Sequence, residues 1–193
     1  MTINTQALTI EDFVQRYGDD GPFEYLDGEF MPVAPQVSGS GRAGGSLYRL
    51  LANHVDEHDL GEVFIETPFV LTLDRSRWVT GSRVPDVMFY SQQRFEQFTQ
   101  DYPDWETIPV VGAPDFVAEI VSPTDSFTEV SDKVRRYLDD GVQLVWVVDW
   151  RAKTIQTHAQ GSNQSLTFSA TDSLSADPVI AGFTLELEKY FGS

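Results

Sequence analysis

Two carboxylates stand in segments whose other residues suit buried strands. Asp86 lies in Arg83-Val84-Pro85-Asp86-Val87, and Glu119 interrupts the apolar run Phe116-Val117-Ala118-Glu119-Ile120-Val121. A charge flanked by such residues must face a polar cleft or meet a buried partner, because an isolated buried charge is very costly. Two strand carboxylates side by side suit a hard divalent cation, Mg2+ or Mn2+, which takes oxygen ligands and retains several waters. A third group, Lys133, sits on the flank of the stripe Phe127, Val130, Val134, Tyr137 and Leu138. From there its stem can follow the packed surface and bring the ammonium to the sheet edge. Two carboxylates and a lysine match metal-assisted phosphodiester hydrolysis, with metal-activated water as nucleophile and the lysine steadying developing charge. The same residues also read as two structural ion pairs, Arg83–Asp86 and Lys133–Glu119.

The elements that must position these groups can be read from periodicity and punctuation. Ser126 and Glu129 form a capping box, and Gly141 stands where a C-terminal glycine belongs, so a helix runs from Ser126 to Asp140. It lies between strands at Phe116–Val121 and Leu144–Asp149, and a β-α-β unit of this kind implies parallel pairing. Val145-Trp146-Val147-Val148 reads as a strand covered on both faces. Earlier strands are expected at Val63–Leu73 and Val84–Tyr90, and later ones at Thr154–His158 and Leu166–Ser169. A short helix capped by Thr9 and a hairpin over Glu24–Val33, turning at Asp27-Gly28, open the chain. A helix follows over Ser46–His58, and a closing helical turn is expected within Leu185–Phe191. Ser38–Gly45, Pro103–Pro114 and Gly161–Ser175 read as the least ordered stretches. The class is α/β with a mixed sheet, expected as a single domain over residues 1–193.

Composition narrows the functional classes. The 193 residues include 30 acidic and 13 basic side chains, a formal charge of −17 that disfavours extended non-specific binding to phosphate backbones. A bound divalent metal or a local basic patch can reverse that field at one site, so an enzyme acting on nucleic acid stays open. The absence of cysteine excludes thiolate metal sites, disulfides and cysteine nucleophiles. No apolar run approaches the roughly 20 residues of a bilayer span, and Met1–Gln6 lacks the pattern of a secretion signal, so the expected location is the cytoplasm and no membrane partner is expected.

The order Glu24-Tyr25-Leu26-Asp27-Gly28-Glu29, Pro85-Asp86, Val117-Ala118-Glu119-Ile120-Val121-Ser122-Pro123, Asp132-Lys133 with Tyr137, and Gly141-Val142 with Val145–Asp149 resembles a large bacterial family of restriction-endonuclease-like proteins of the PD-(D/E)xK nuclease fold. The resemblance covers residues 9–191. It implies a restriction-endonuclease-like core, a mixed central sheet flanked by helices, behind an N-terminal helix and hairpin. It also implies Asp86 and Glu119 as metal ligands for Mg2+ or Mn2+. The lysine expected two residues after the strand glutamate is Val121 here, and the resemblance implies that Lys133 supplies the amine instead. Glu24 or Glu29 is a further candidate for an auxiliary carboxylate. The competing expectation is a catalytically inactive module of the same fold that binds a partner, as a homodimer, through exposed apolar surface near Trp78, Phe95, Phe98, Tyr102 and Trp105.

Two other motifs compete. His54-Val55-Asp56-Glu57-His58 spells H-x-x-E-H, a zinc-hydrolase pattern, but no downstream helix offers an obvious third ligand. Gly39-Ser40-Gly41-Arg42-Ala43-Gly44 fits G-x-G-x-x-G, but Pro32 and Pro35 interrupt the approach, and a flexible loop is expected in which Arg42 could meet a phosphate.

Overall fold

The computed structural model describes residues 8–192. In chain order these form β1 (Leu8–Thr9), α1 (Ile10–Asp20), β2 (Phe23–Leu26), β3 (Glu29–Pro32), α2 (Ser38–Glu57), β4 (Gly61–Ile65) and β5 (Phe69–Thr72). Then come β6 (Trp78–Arg83), β7 (Val87–Ser91), α3 (Gln92–Asp101), β8 (Val110–Val111), β9 (Phe116–Ile120), α4 (Phe127–Asp140) and β10 (Leu144–Asp149). β11 (Thr154–Ala159), β12 (Ser165–Ser169), β13 (Ser173–Ser175), β14 (Thr184–Glu186) and α5 (Leu187–Gly192) complete them. Contacts divide the chain into two compact units.

The first unit takes the segment up to Pro35 together with Thr67–Val84 and Glu96–Ala113. Its sheet has the order β1-β6-β5-β8, beside the separate β2-β3 hairpin. Thr9 caps α1 through a capping box with Asp12, as its sequence position predicts. Asp27 (φ 51°) and Gly28 (φ 87°) make the hairpin turn, which needs left-handed backbone at both central positions. Phe13 and Tyr17 stack, and Phe23 meets Phe13, Tyr17 and Phe30 edge to face around this hairpin. Arg83 donates to the carbonyls of Tyr25 and Ser82, and Glu24, buried, accepts from the Val84 amide at 3.2 Å.

The second unit takes Gln36–Glu66, Pro85–Phe95 and the chain from Pro114 onward. Its six-stranded sheet has the order β12-β11-β10-β9-β7-β4. The expected β-α-β pairing is present: β9 and β10 run parallel with α4 between them in sequence, and the other pairs are antiparallel. Alternation along the central strands separates two faces. Phe116, Ala118, Ile120, Trp146 and Val148 join the core built with Leu47, Leu51 and Val55 of α2 and Leu187 and Tyr190 of α5. Glu119 and Val147, at the intervening positions, point to the opposite face.

Four expectations change. Val63–Leu73 is not one strand: Pro68 and Glu66, at φ 48°, end β4, and β5 then joins the other unit's sheet. Val84–Tyr90 becomes β7 alone, so Asp86 precedes the strand, and the polar stretch before it contributes β6. Ser38–Gly45 is not a loop but the opening of the 20-residue α2. A Cβ on Gly44 would sit 3.4 Å from the Ile120 side chain and one on Gly39 would run into the Trp150 indole. Small residues therefore let this helix lie against its neighbours, and that packing overrides the poor helix propensity of glycine. Finally, Phe98 and Tyr102 are buried, so the proposed association patch is not a continuous exposed surface, although Trp78 is exposed.

Candidate active site

Glu119 owes its position to strand alternation. It is 6% exposed, on the sheet face that α4 covers. Ser126 and Glu129 cap the start of α4 reciprocally, and Gly141 (φ 104°) ends it with its amide on Leu138 and Tyr137 carbonyls, as the sequence predicts. Fixed at both ends, the helix presents Lys133 and Tyr137, four residues apart, to the same carboxylate. Lys133 Nζ lies 2.8 Å from Glu119 Oε2, and the Tyr137 hydroxyl donates to Oε1 at 2.5 Å.

Asp86 arrives from the neighbouring strand. The β7-β9 ladder pairs Val87 with Ala118, so one step back brings Asp86 opposite Glu119. Its Oδ2 accepts from the Ile120 amide at 2.6 Å, and its Oδ1 accepts from Gln36 Nε2 at 2.5 Å. The Asp86 backbone carbonyl accepts from Glu66 N, which holds the approach to the strand. Burial and the neighbouring Glu119 charge push the Asp86 carboxyl up to about 7, while the Ile120 amide, Lys133 and Gln36 pull it down. Two carboxylates thus face one lysine, and one of them resists ionisation at neutral pH.

The structure brings Asp86, Glu119 and Lys133 together. Sequence reading missed Gln36 and Tyr137 as their partners: Tyr137 was assigned to the apolar stripe, and only its i+4 spacing from Lys133 signalled a shared target. Glu29 is exposed, and Glu24 spends an oxygen on the Val84 amide. The H-x-x-E-H histidines engage backbone carbonyls, with His54 Nε2 2.9 Å from Ala181 O and His58 Nδ1 2.8 Å from His54 O. No group of three or more His, Cys, Asp or Glu suited to a metal occurs among the described residues. Gly39, Gly41 and Gly44 are helical, so the G-x-G-x-x-G match is not a strand-to-helix phosphate turn. No helix among the described residues is long and apolar enough to cross a membrane.

Comparison with known proteins agrees with this architecture. The family model Uma2, described as "Putative restriction endonuclease", matches residues 10–188. The fold is similar to the crystal structure of a "putative nuclease belonging to DUF820" from Anabaena variabilis. The TM-score is 0.72 at 18% identity, over 96% of this chain and 98% of that one. No curated protein matches the chain.

Proposed function

The chain belongs to the Uma2 family of restriction-endonuclease-like proteins, and from that premise we propose that it is a divalent-metal-dependent nuclease. The observation that carries this reading is the opposed pair Asp86 and Glu119 with Lys133 as the cation beside them. The donor set fits Mg2+ or Mn2+: it is all oxygen, and burial together with the Glu119 charge raises the Asp86 carboxyl, a cost of ionisation that a dication relieves. Such an ion, held by Asp86 and Glu119, would supply Lewis acidity toward the scissile phosphate and toward the attacking water.

The chain's own residues do the rest. The Ile120 amide and Gln36 orient the Asp86 carboxylate, and Tyr137 fixes one Glu119 oxygen so that the other faces Lys133. Lys133, with its side chain 37% exposed, is placed to offset charge that builds on phosphate oxygens during displacement. Cytoplasmic location and a homodimeric state belong to the same proposal.

The test is cleavage of a mixed pool of single- and double-stranded DNA and RNA with Mg2+ or Mn2+, beside Asp86→Asn. Cleavage by the native chain that is lost in the variant supports the reading. Cleavage retained in the variant removes Asp86 from the mechanism. A second reading, an inert binding module, is favoured by the Lys133 and Tyr137 contacts that engage both Glu119 oxygens. It predicts no metal affinity that depends on Asp86 and Glu119 together, which calorimetric titration with Mn2+ measures.

A further inference from the structure

A cleft of about 500 Å³ in the second unit reverses the charge of the chain around it. Its charged lining is Arg42, Arg151 and Lys153, with no aspartate or glutamate, in a protein with 30 acidic and 13 basic side chains. All three are exposed, and none makes an ion pair among the described residues. By contrast Arg16, Arg75, Arg77, Arg94, Lys133, Arg135 and Lys189 are each held by a carboxylate. Three unpaired cations converging on one concavity, with acid in excess elsewhere, form a focused positive field suited to an anion.

The walls are fixed. Asp149 Oδ1 accepts from the amides of Arg151 at 3.0 Å and Ala152 at 2.8 Å, and Lys153 takes a left-handed φ of 55°. These features shape the β10-β11 turn that carries two of the cations. Trp150, in the same turn, rests on Gly39, which ties the turn to the start of α2 and so to Arg42. Opposite, Tyr190 donates to the Ala43 carbonyl at 2.9 Å. Tyr190 also links the cleft to the carboxylates, because burial and then the Asp86 charge both push the pKa of its hydroxyl up. Trp150, Tyr190 and Phe191 add aromatic surface beside the cations.

We propose that this cleft seats one nucleotide of a nucleic-acid strand, its phosphate held by Arg42, Arg151 and Lys153 and its base against the aromatic wall. The volume falls within the range of small-ligand sites, and cations interleaved with aromatic rings are how proteins bind single strands without reading sequence. That the strand is the substrate rests on the nuclease reading above. The phosphate-and-ring chemistry would also suit a free nucleotide, and the experiment separates the two.

Fluorescence anisotropy in EDTA would follow a labelled single strand of about 12 nucleotides, as DNA and as RNA, with unlabelled ADP as competitor. The triple substitution Arg42→Ala, Arg151→Ala, Lys153→Ala, all at exposed positions, should weaken strand binding about tenfold or more. It should also lower the salt slope by about 0.7, as expected for one single-strand phosphate neutralised. Arg135→Ala, which removes an exposed arginine paired with Asp132 and absent from this cleft, should bind as the native chain does. Native affinity and slope in the triple variant would overturn the cleft, as would absence of strand binding by the native chain. ADP binding as tightly as the strand would overturn the strand as occupant. Cleavage lost in Asp86→Asn while strand binding ignores the triple substitution rejects the cleft and leaves the nuclease standing. Cleft-dependent binding without cleavage by any chain supports the cleft and rejects the nuclease.

Discussion

Strand β9 has a carboxylate site at each end, and the two are built on opposite electrostatic terms. Asp115, just before the strand, is 3% exposed and fully answered: Arg94 lies 2.9 Å from Oδ1, Gln143 Nε2 donates to the same oxygen at 2.5 Å, and Ser91 N donates to Oδ2 at 2.8 Å. Its backbone also bonds Phe89, Gln143 and Leu144, so it ties β7, β9 and β10 together. At the other end Asp86 and Glu119 share one lysine, and the Asp86 carboxyl is held near 7 by burial and by its neighbour. One acid in each case is buried in the same sheet; the number of opposing charges decides whether it fastens the fold or leaves a deficit for a cation to fill.

Exchanging amides for acids at the two ends should break this contrast most sharply. Asp86→Asn should lower cleavage by at least about 100-fold yet leave the fold intact. Asp115→Asn should lose about 3 kcal/mol of stability by removing a charge from Arg94 and an acceptor from its neighbours, while cleavage per folded molecule is kept. Urea unfolding alongside the cleavage assay reads both, and a variant pair with matching losses would erase the distinction.

Acidity gives the next effect. Because the folded Asp86 carboxyl titrates above the ordinary carboxylate value of 3.8, the native state binds the extra proton and is favoured below that value. That contribution is lost as pH rises from about 4 through 7. The stability of the native chain in urea unfolding should therefore fall across this window relative to Asp86→Asn, by an amount of order 3 kcal/mol. If metal binding needs the ionised Asp86, cleavage at subsaturating Mn2+ should drop about tenfold per pH unit below 7. A flat difference in midpoint between the two chains would show that Asp86 is an ordinary surface acid.

Lys133→Met tests the lone cation. It should reduce cleavage by about 10- to 100-fold and push the Asp86 titration higher, which moves the stability loss toward alkaline pH, with partial rescue by Lys133→Arg. Unchanged titration would mean that Lys133 serves Glu119 alone. The smallest effect is expected for Tyr137→Phe, which removes one hydrogen bond to Glu119 at about 1–2 kcal/mol, read as a shift in the urea midpoint.

Much of the site was legible because its signals are local. Glu119 betrays itself by interrupting an apolar strand, and Lys133 by flanking a helix whose Ser126–Glu129 box and Gly141 mark both ends. Pro68 already carried the break between β4 and β5, but the β-rich residues on either side concealed it. Gln36, Tyr137 and the cation cleft were not legible as a set, since Gln36 reaches Asp86 across 50 positions, and Arg42 meets Arg151 and Lys153 only in the folded chain.

What the sequence determined by itself is therefore the period and punctuation of its elements: the hairpin at Asp27-Gly28, the capped helices, the parallel β-α-β unit and the misplaced charge within it. These depend on neighbours within a few residues, where backbone geometry and side-chain alternation act directly. Tertiary structure alone decided that Ser38–Gly45 is helical, because the closeness of Ile120 and Trp150 makes glycine an advantage there. It alone set the register that opposes Asp86 to Glu119. It alone determined that Asp115 is neutralised while Asp86 is not, because electrostatic energy depends on distance in space and on lost solvent, and neither is written along the chain.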